Sequence, residues 1–321
     1  MNKKNAAVEA LLNGSERVIK GKREFLELFI TGMLAGGHVL LEDYPGLGKT
    51  TVAKTFAHLI AGPDGNPLLF KRIQFTPDLL PYDITGVDVF DPETRSFRFI
   101  PGPVLANIVL ADEINRTTPK VQSALLEVMA ERQVTIGSVT HRPPEPFFVV
   151  ATENPIESEG TFPLTAAQLD RFMMRLSLGY PDRESELLIL DDNPALKVLA
   201  GLRPVLSEAE FLSAKDAAAA VFCHQSLKEA VADIVRDTRI HKGFVLGASP
   251  RAALHFLDAV KALAFIRGRE YVIDEDLLTL AHPVLAHRVR FRESRVQGKS
   301  GAFGAGIIRE ICLARLNGIR T

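Results

Sequence analysis

At 321 residues, with 46% hydrophobic and 24% charged side chains, the chain has the composition of a soluble globular protein and room for two domains or one large one. A formal net charge of −1 excludes a global electrostatic pull toward nucleic acid or an anionic membrane surface. Two cysteines, Cys223 and Cys312, are too few and too far apart for a disulfide framework or a metal site, which fits a cytoplasmic location. The first residues are charged and lack the apolar core of a signal peptide, and the longest apolar runs are too short to span a bilayer, so no membrane insertion is expected.

In chain order, Phe25, Leu28, Phe29 and Met33 mark one helical face that leads to Gly36-Gly37. His38–Glu42 (HVLLE) is a short apolar run that predicts a buried strand. Thr50–Ala61 has helical spacing and stops at Gly62-Pro63. Ala106–Glu113 predicts a strand ending in two acids, and Lys120–Glu131 a helix with Val121, Leu125, Val128 and Met129 on one face. Arg132–Gly137 and Pro146–Pro155 are further strand-like runs. Beyond Gly179-Tyr180-Pro181 the patterns turn helical, over Glu184–Asp192, Ser207–Phe222, Gln225–Arg239, Ser249–Gly268 and Asp274–Val289. The expected class is α/β: a mainly parallel sheet between helices over residues 1–180, then a smaller all-α domain over 181–321.

Between the predicted strand His38–Glu42 and the helix after it lies DYPGLGKT, Asp43 to Thr50. It matches the phosphate-binding loop G-x-x-x-x-G-K-[ST] except that Asp43 replaces the first glycine. Such a loop curls successive backbone N–H groups around phosphate oxygens ahead of a helix N-terminus. Lys49 would reach the phosphates, Thr50 a magnesium ion, and Gly46 and Gly48 permit close backbone approach. Aspartate tolerates left-handed backbone better than most residues, so Asp43 is expected to replace glycine conformationally and to leave the site working.

Four more motifs follow. Asp112 and Glu113 close the strand Ile108–Glu113; an acid at the tip of a strand beside the loop strand can hold the magnesium shell, and the next can polarise the attacking water. Asn154 could orient that water, or serve only as a turn residue before Pro155. Arg171, in LTAAQLDRF, could stabilise a transferring phosphoryl group, or form a surface ion pair. Arg251 stands at a helix start, after Ser249-Pro250, where a cation is unfavourable unless an anion lies near. The basic stretch His287–Gly301 reads as a solvated helix end and loop, and His58 as a packing or surface residue.

Taken in order, these motifs resemble those of AAA+ ATPases, and more finely those of the MoxR family. The segments GHVLLEDYPGLGKT, QFTPDLLPYDITG, ADEINRTTPKVQSALLEVMAERQVT, FVVATENPIESEGTFPLTAAQLDRFMMRL and GASPRA carry the likeness along nearly the whole chain. The resemblance implies an ATP hydrolase with Mg2+. Val18 and Ile19 would sit at the adenine. The nucleotide loop would comprise Asp43, Tyr44, Pro45, Gly46, Leu47, Gly48, Lys49, Thr50 and Thr51. Thr50 and Asp112 would hold the metal, with Glu113 as base and Asn154 as sensor-1. Arg251 would be sensor-2 on the helical lid, with nucleotide bound between core and lid. Arg171, with Arg175 as a rival, would be the arginine finger for a neighbouring subunit, which implies a homo-oligomeric ring, usually a hexamer. Residues Pro77 to Pro103 look like a helix-2 insert with a hairpin turning near Glu93–Arg95, and Arg132–Pro146 like a second hairpin; both could touch a client. The expected work is chaperone-like remodelling, maturation or cofactor insertion on a client protein, often with a von Willebrand factor A domain partner, in which hydrolysis moves the lid. A nucleic-acid motor and a metal-chelatase subunit are the related alternatives. The near-neutral charge and the absence of an appended DNA-binding segment speak against the first, so no nucleic acid is expected.

Overall fold

The computed structural model describes residues 3–155, 160–292 and 300–318. Helices α1 (Lys3–Glu16) and α2 (Arg23–Leu34) lead into β1 (Val39–Glu42), α3 (Lys49–Leu59), β2 (Ile60–Ala61) and β3 (Phe70–Gln74). Then come α4 (Pro81–Thr85), a hairpin of β4 (Gly86–Asp91) and β5 (Ser96–Pro101), β6 (Ile108–Asp112) and α5 (Pro119–Glu131). A second hairpin, β7 (Val134–Ile136) and β8 (Val139–His141), precedes β9 (Phe148–Glu153), α6 (Ala166–Leu169) and β10 (Met174–Leu176). The remainder is α7 (Arg183–Asp192), α8 (Lys197–Ala200), β11 (Leu206–Ser207), α9 (Glu208–Ala219), α10 (Gln225–Ile240), β12 (Phe244–Leu246), α11 (Pro250–Ile266), α12 (Asp274–Leu285), β13 (Arg290–Phe291) and α13 (Ser300–Asn317). Both expected hairpins form, the first turning between Asp91 and Ser96.

The main sheet has the order β10-β1-β9-β6-β3 and is parallel throughout. Its central strands are buried along almost their whole length, as a sheet covered on both faces requires. The edge strands β3 and β10 have no signal in the sequence reading. In β3 only Ile73 is buried, and β10 has three residues, so neither presents an apolar run. A second difference lies in strand order: β6, with the acids at its tip, is not beside the loop strand β1, because β9 lies between them. The register still brings the strand ends together, with Glu42 opposite Glu153 and Gln74 opposite Asp112.

The helix after the loop stops at Leu59, two residues before the expected end. Ile60 and Ala61 instead pair in parallel with Leu206 and Ser207. The reason is a wider one. One apolar core joins a face of the sheet to α1, α2 and α3 and continues without a break into α9–α13. A separate core under α5 fills the other face. The helical region after residue 180 thus shares its core with the sheet domain.

The basic stretch starting at His287 also departs from expectation. Its residues 293–299 lie outside the described residues, but His287 and Arg288 are buried rather than solvated. Arg288, 3% exposed, donates to the carbonyls of Phe172 (2.6 Å) and Val284 (2.9 Å) and pairs with Asp170 (3.1 Å). His287 Nε2 lies 3.0 Å from the Phe172 carbonyl. These contacts fasten the helical region to the chain just before β10. Arg288→Ala strands a carboxylate and buried carbonyls, and is expected to lower stability by about 3 kcal/mol. Arg23→Ala, which breaks exposed pairs to Glu16 and Glu9, is expected to cost less than about 1 kcal/mol. Urea unfolding midpoints of the two variants check the contrast.

Candidate functional site

At the end of β1 the chain turns into α3, whose first residue is Lys49. Gly46 and Gly48 take φ of 84° and 91°, a region costly for other residues. A Cβ built on Gly46 would meet nothing within 4 Å, and one on Gly48 would meet only Thr51 at 4.0 Å. The space over the loop is therefore open. The first N–H groups of α3 have no helical partner, and Gly48 supplies no side-chain cap, so they are donors for an anion. Lys49 Nζ donates to the Asp43 carbonyl at 2.6 Å. Burial lowers its pKa, while the negative charges of Asp43, Asp112 and Glu113 act in the other direction, so the ammonium and the acidic tip share one neighbourhood.

Asp43 does not stand in for glycine in the way expected. Its backbone is not left-handed; among the described residues the positive-φ ones other than glycine are Arg95, Glu113, Arg132 and Asn193. What the chain uses is the carboxylate, which is 4% exposed and accepts from Ser177 Oγ (2.7 Å), Leu178 N (2.7 Å) and Gly179 N (3.1 Å).

The acids at the tip of β6 are held from both sides. Thr152 Oγ1, on the intervening strand β9, donates to Asp112 Oδ1 (2.7 Å) and accepts from Glu113 N (2.8 Å). Arg72 Nε and Nη2 both donate to Asp112 Oδ2, at 3.0 and 2.6 Å. Glu113 has a left-handed backbone (φ 58°), a strained state that clusters at functional sites. Its Oε2 accepts from Gln74 Nε2 at 2.8 Å and lies 3.2 Å from Arg116 Nε. Asn154, 6% exposed, directly follows β9, between the loop strand and the acidic strand.

Beside the loop is a cavity of about 230 Å³. Its walls include Val18, Ile19, Gly46, Leu47, Gly48 and Thr51, faced by Leu178, Gly179, Pro181, Ile189 and Asn193–Ala195. The far wall is thus the linker after β10 together with α7, not the later lid helices.

Arg251, expected as sensor-2 on the helical lid with nucleotide between core and lid, does not line the cavity beside the loop. With Arg171, Arg132, His38 and His255 it lines a second cavity of about 200 Å³. His38 precedes β1 and Asp43 follows it, so roughly 16 Å of extended chain separates the two sites. Asp170 ties the arginine-bearing segments together: it accepts from Ser249 Oγ (2.8 Å), the cap of α11, and lies 3.9 Å from Arg251. Burial holds His38 and His255 down to a pKa of about 3, so the positive charge of this cavity near neutral pH comes from its arginines. Arg171 makes no ion pair among the described residues, whereas Arg175 pairs with Glu42 at 2.9 Å near the opposite sheet edge. His58 bonds its own helix, at Lys54 O (2.8 Å), as a packing residue would.

Sequence reasoning missed Arg72, Gln74, Thr152 and Ser177. The first two sit on an edge strand without an apolar pattern, and the others act through pairings visible only once the strand order is known.

The profile of the ATPase family associated with various cellular activities (AAA) matches residues 38–174, and an AAA lid domain profile matches 236–310. YeaC of Bacillus subtilis, itself uncharacterised, is 45% identical over 93% of this chain and 91% of its own length. Chaperone MoxR1 of Mycobacterium tuberculosis is 43% identical over 85% of this chain and 73% of its own. The crystal structure of a candidate ATPase from Cytophaga hutchinsonii superposes with a TM-score of 0.85 at 36% identity, covering 98% of this chain and 95% of that one. Among the described residues no helix is long and apolar enough to cross a membrane.

Glu153, next to Asn154, gives the site a pH signature. Burial first, then the Glu42 carboxylate, pushes its pKa from 4.5 to about 7, with Arg175 acting against them. The folded state binds this proton more tightly than the unfolded one. The resulting stabilisation is complete below pH 4.5 and disappears as pH rises through 7, a swing of at most about 3 kcal/mol. Glu153→Gln is expected to remove this fall between pH 5 and 7.5, as read by urea midpoints at the two pH values.

Proposed function

The chain belongs to the MoxR family of AAA+ ATPases, and on that footing we propose that it hydrolyses ATP, with Mg2+, at sites shared between neighbouring copies. The observation that carries this reading is the separation of the two cavities. The phosphate loop lies at one edge of the sheet, and Arg171 and Arg251 lie together at the other. A guanidinium at the second site is out of reach of its own loop. A second copy placed head to tail supplies it, and repetition of that contact closes a ring, with a hexamer as the expected size.

Within the shared site, each role follows from position. The adenine packs against Val18 and Ile19 across from Ile189. The α3 N-terminus and Lys49 bind the phosphates. Thr50 and Asp112 would hold Mg2+, which would supply neutralisation of phosphate charge. Arg72, paired with Asp112, orients that carboxylate and offsets its charge. Glu113 accepts the proton of the attacking water, its position fixed by Thr152, Gln74 and Arg116. Asn154 orients the same water. Arg171 and Arg251 of the adjoining copy meet the charge that develops on the phosphoryl group. Engagement of Arg175 with its own Glu42 favours Arg171 as the finger.

The work driven by hydrolysis is remodelling of a client protein, in keeping with the relative named as a chaperone. The contact surface we favour is the pair of hairpins. Val87, Val89, Phe90, Phe97 and Ile100 are exposed on β4 and β5, and Phe99 stacks on His141 of β8 with ring centres 3.8 Å apart, so the two hairpins form one unit. A partner bearing a von Willebrand factor A domain and a cytoplasmic setting belong to the same proposal.

Single-turnover and steady-state ATPase assays test the site. Glu113→Gln is expected to bind ATP but turn it over about 100-fold more slowly, through loss of the base. Arg171→Ala is expected to lose about 1000-fold, while Arg175→Ala keeps turnover near that of the wild type. An Arg175 variant that is inactive, beside an active Arg171 variant, contradicts the assignment.

A further inference from the structure

We propose that Asp43 couples occupancy of the phosphate loop to the linker Ser177–Gly179 and, through it, to α7, the movable wall of the nucleotide cavity. This rests on the reading that the loop holds the phosphates of a nucleotide. The general motif has glycine at this position, which has no side chain to reach anything. Here a buried carboxylate reaches across to the strand-to-lid linker, where it gathers two consecutive backbone N–H groups and a hydroxyl. Gly179, with φ 63°, gives the linker the left-handed turn at this point.

The same residue touches the phosphate-binding lysine. Its carbonyl accepts from Lys49 Nζ at 2.6 Å, and its N–H donates to the Glu153 carbonyl at 3.3 Å, one residue before Asn154. A continuous chain of contacts therefore runs from the ammonium, through the Asp43 peptide and carboxylate, to residues 177–179. Tyr44 adds a parallel contact, its ring 6.0 Å from that of Tyr180, whose carbonyl is held by Lys22 Nζ at 2.6 Å. Leu178, Gly179, Pro181 and Ile189 then form the cavity wall.

The receiving end is built to respond. In α7 only Ser185 is buried, and Leu187, Leu188 and Leu190 are exposed, so little packing opposes a shift. Helices α9–α13 are different, since they share the core of the sheet domain. The lysine is the link, because its ammonium is bonded to the Asp43 carbonyl. Phosphate oxygens compete for that ammonium, the peptide is released, and the carboxylate carries its three donors with it. Asp43 is a positioning residue, and the element it biases is the segment 177–195.

The test is amide hydrogen exchange on the full chain, with and without ADP at a concentration shown by titration to saturate each variant. In the wild type, ADP is expected to slow exchange over residues 177–195 by at least about fivefold, the lower range of measured site couplings. In Asp43→Gly, which restores the general motif, saturating ADP is expected still to protect residues 46–52, with the protection of 177–195 reduced to what direct contact of the cavity wall with the nucleotide gives. Ser177→Ala, which removes one donor outside the loop, is expected to give a reduced response, and it decides the matter should the glycine variant not fold. Full ADP-induced protection of 177–195 in both variants overturns the coupling. A wild type that binds no ADP overturns the nucleotide reading itself. Because the assay needs neither turnover nor a second copy, failure of the shared-site mechanism leaves its outcome intact.

Discussion

A parallel sheet has two unlike edges, and that constraint sorts the chemistry of this molecule. All five strands end on one side, so Asp43, Asp112, Glu113, Asn154 and Gln74 converge there from four different strands without a long loop to carry them. The strand starts collect on the other side, with His38, the end of α5, and the arginines of the 170–171 turn and of α11. Acids and open helix donors stand at one edge and the guanidinium groups of Arg132, Arg171 and Arg251 at the other. Each half-site lacks what the other carries, and in the proposed assembly a translation and rotation of one copy onto the next would bring them together.

Positioning within the acidic edge depends on the strand that lies between the loop and the acids. Thr152 of β9 bonds Asp112 with its hydroxyl hydrogen and receives the N–H of Glu113 on the same oxygen. One side chain thereby fixes both Asp112 and the strained backbone of Glu113. Were β6 adjacent to β1, as the sequence reading supposes, there would be no place for this bridge or for Asn154 between them. The helical region is equally constrained. Its core is continuous with that of the sheet, and Arg288 and Asp170 clamp it at the arginine edge. A swing of the whole lid on hydrolysis would have to break that core. Movement confined to the linker and α7 would not.

The central strands, the loop and both hairpins were legible because each has a strong local pattern: an unbroken apolar run, a glycine-lysine-threonine turn, or alternation around polar residues. Edge strands β3 and β10 were not, since one is mostly polar and the other too short. The site was legible as a set of residues but not as an arrangement. Asp43 looked like a conformational substitute for glycine, because a single sequence does not show Ser177–Gly179 lying 134 to 136 residues further on beside it. The distance of Arg251 from its own loop was not legible, because the motif fixes its place on a helix and not the placement of that helix. His287 and Arg288 looked solvated because basic residues usually are; Asp170 and the carbonyls of Val284 and the 172–173 turn make the burial tolerable.

The most direct measurement mixes two inactive variants. Lys49→Ala lacks a working loop but keeps its arginines, and Arg171→Ala lacks the finger but keeps its loop. Sites shared between copies predict that neither hydrolyses ATP alone and that an equimolar mixture recovers about a quarter of wild-type turnover, the fraction of head-to-tail contacts that pair an intact loop with an intact finger. A mixture as inactive as its components, in assemblies shown to exchange subunits, would contradict the shared site.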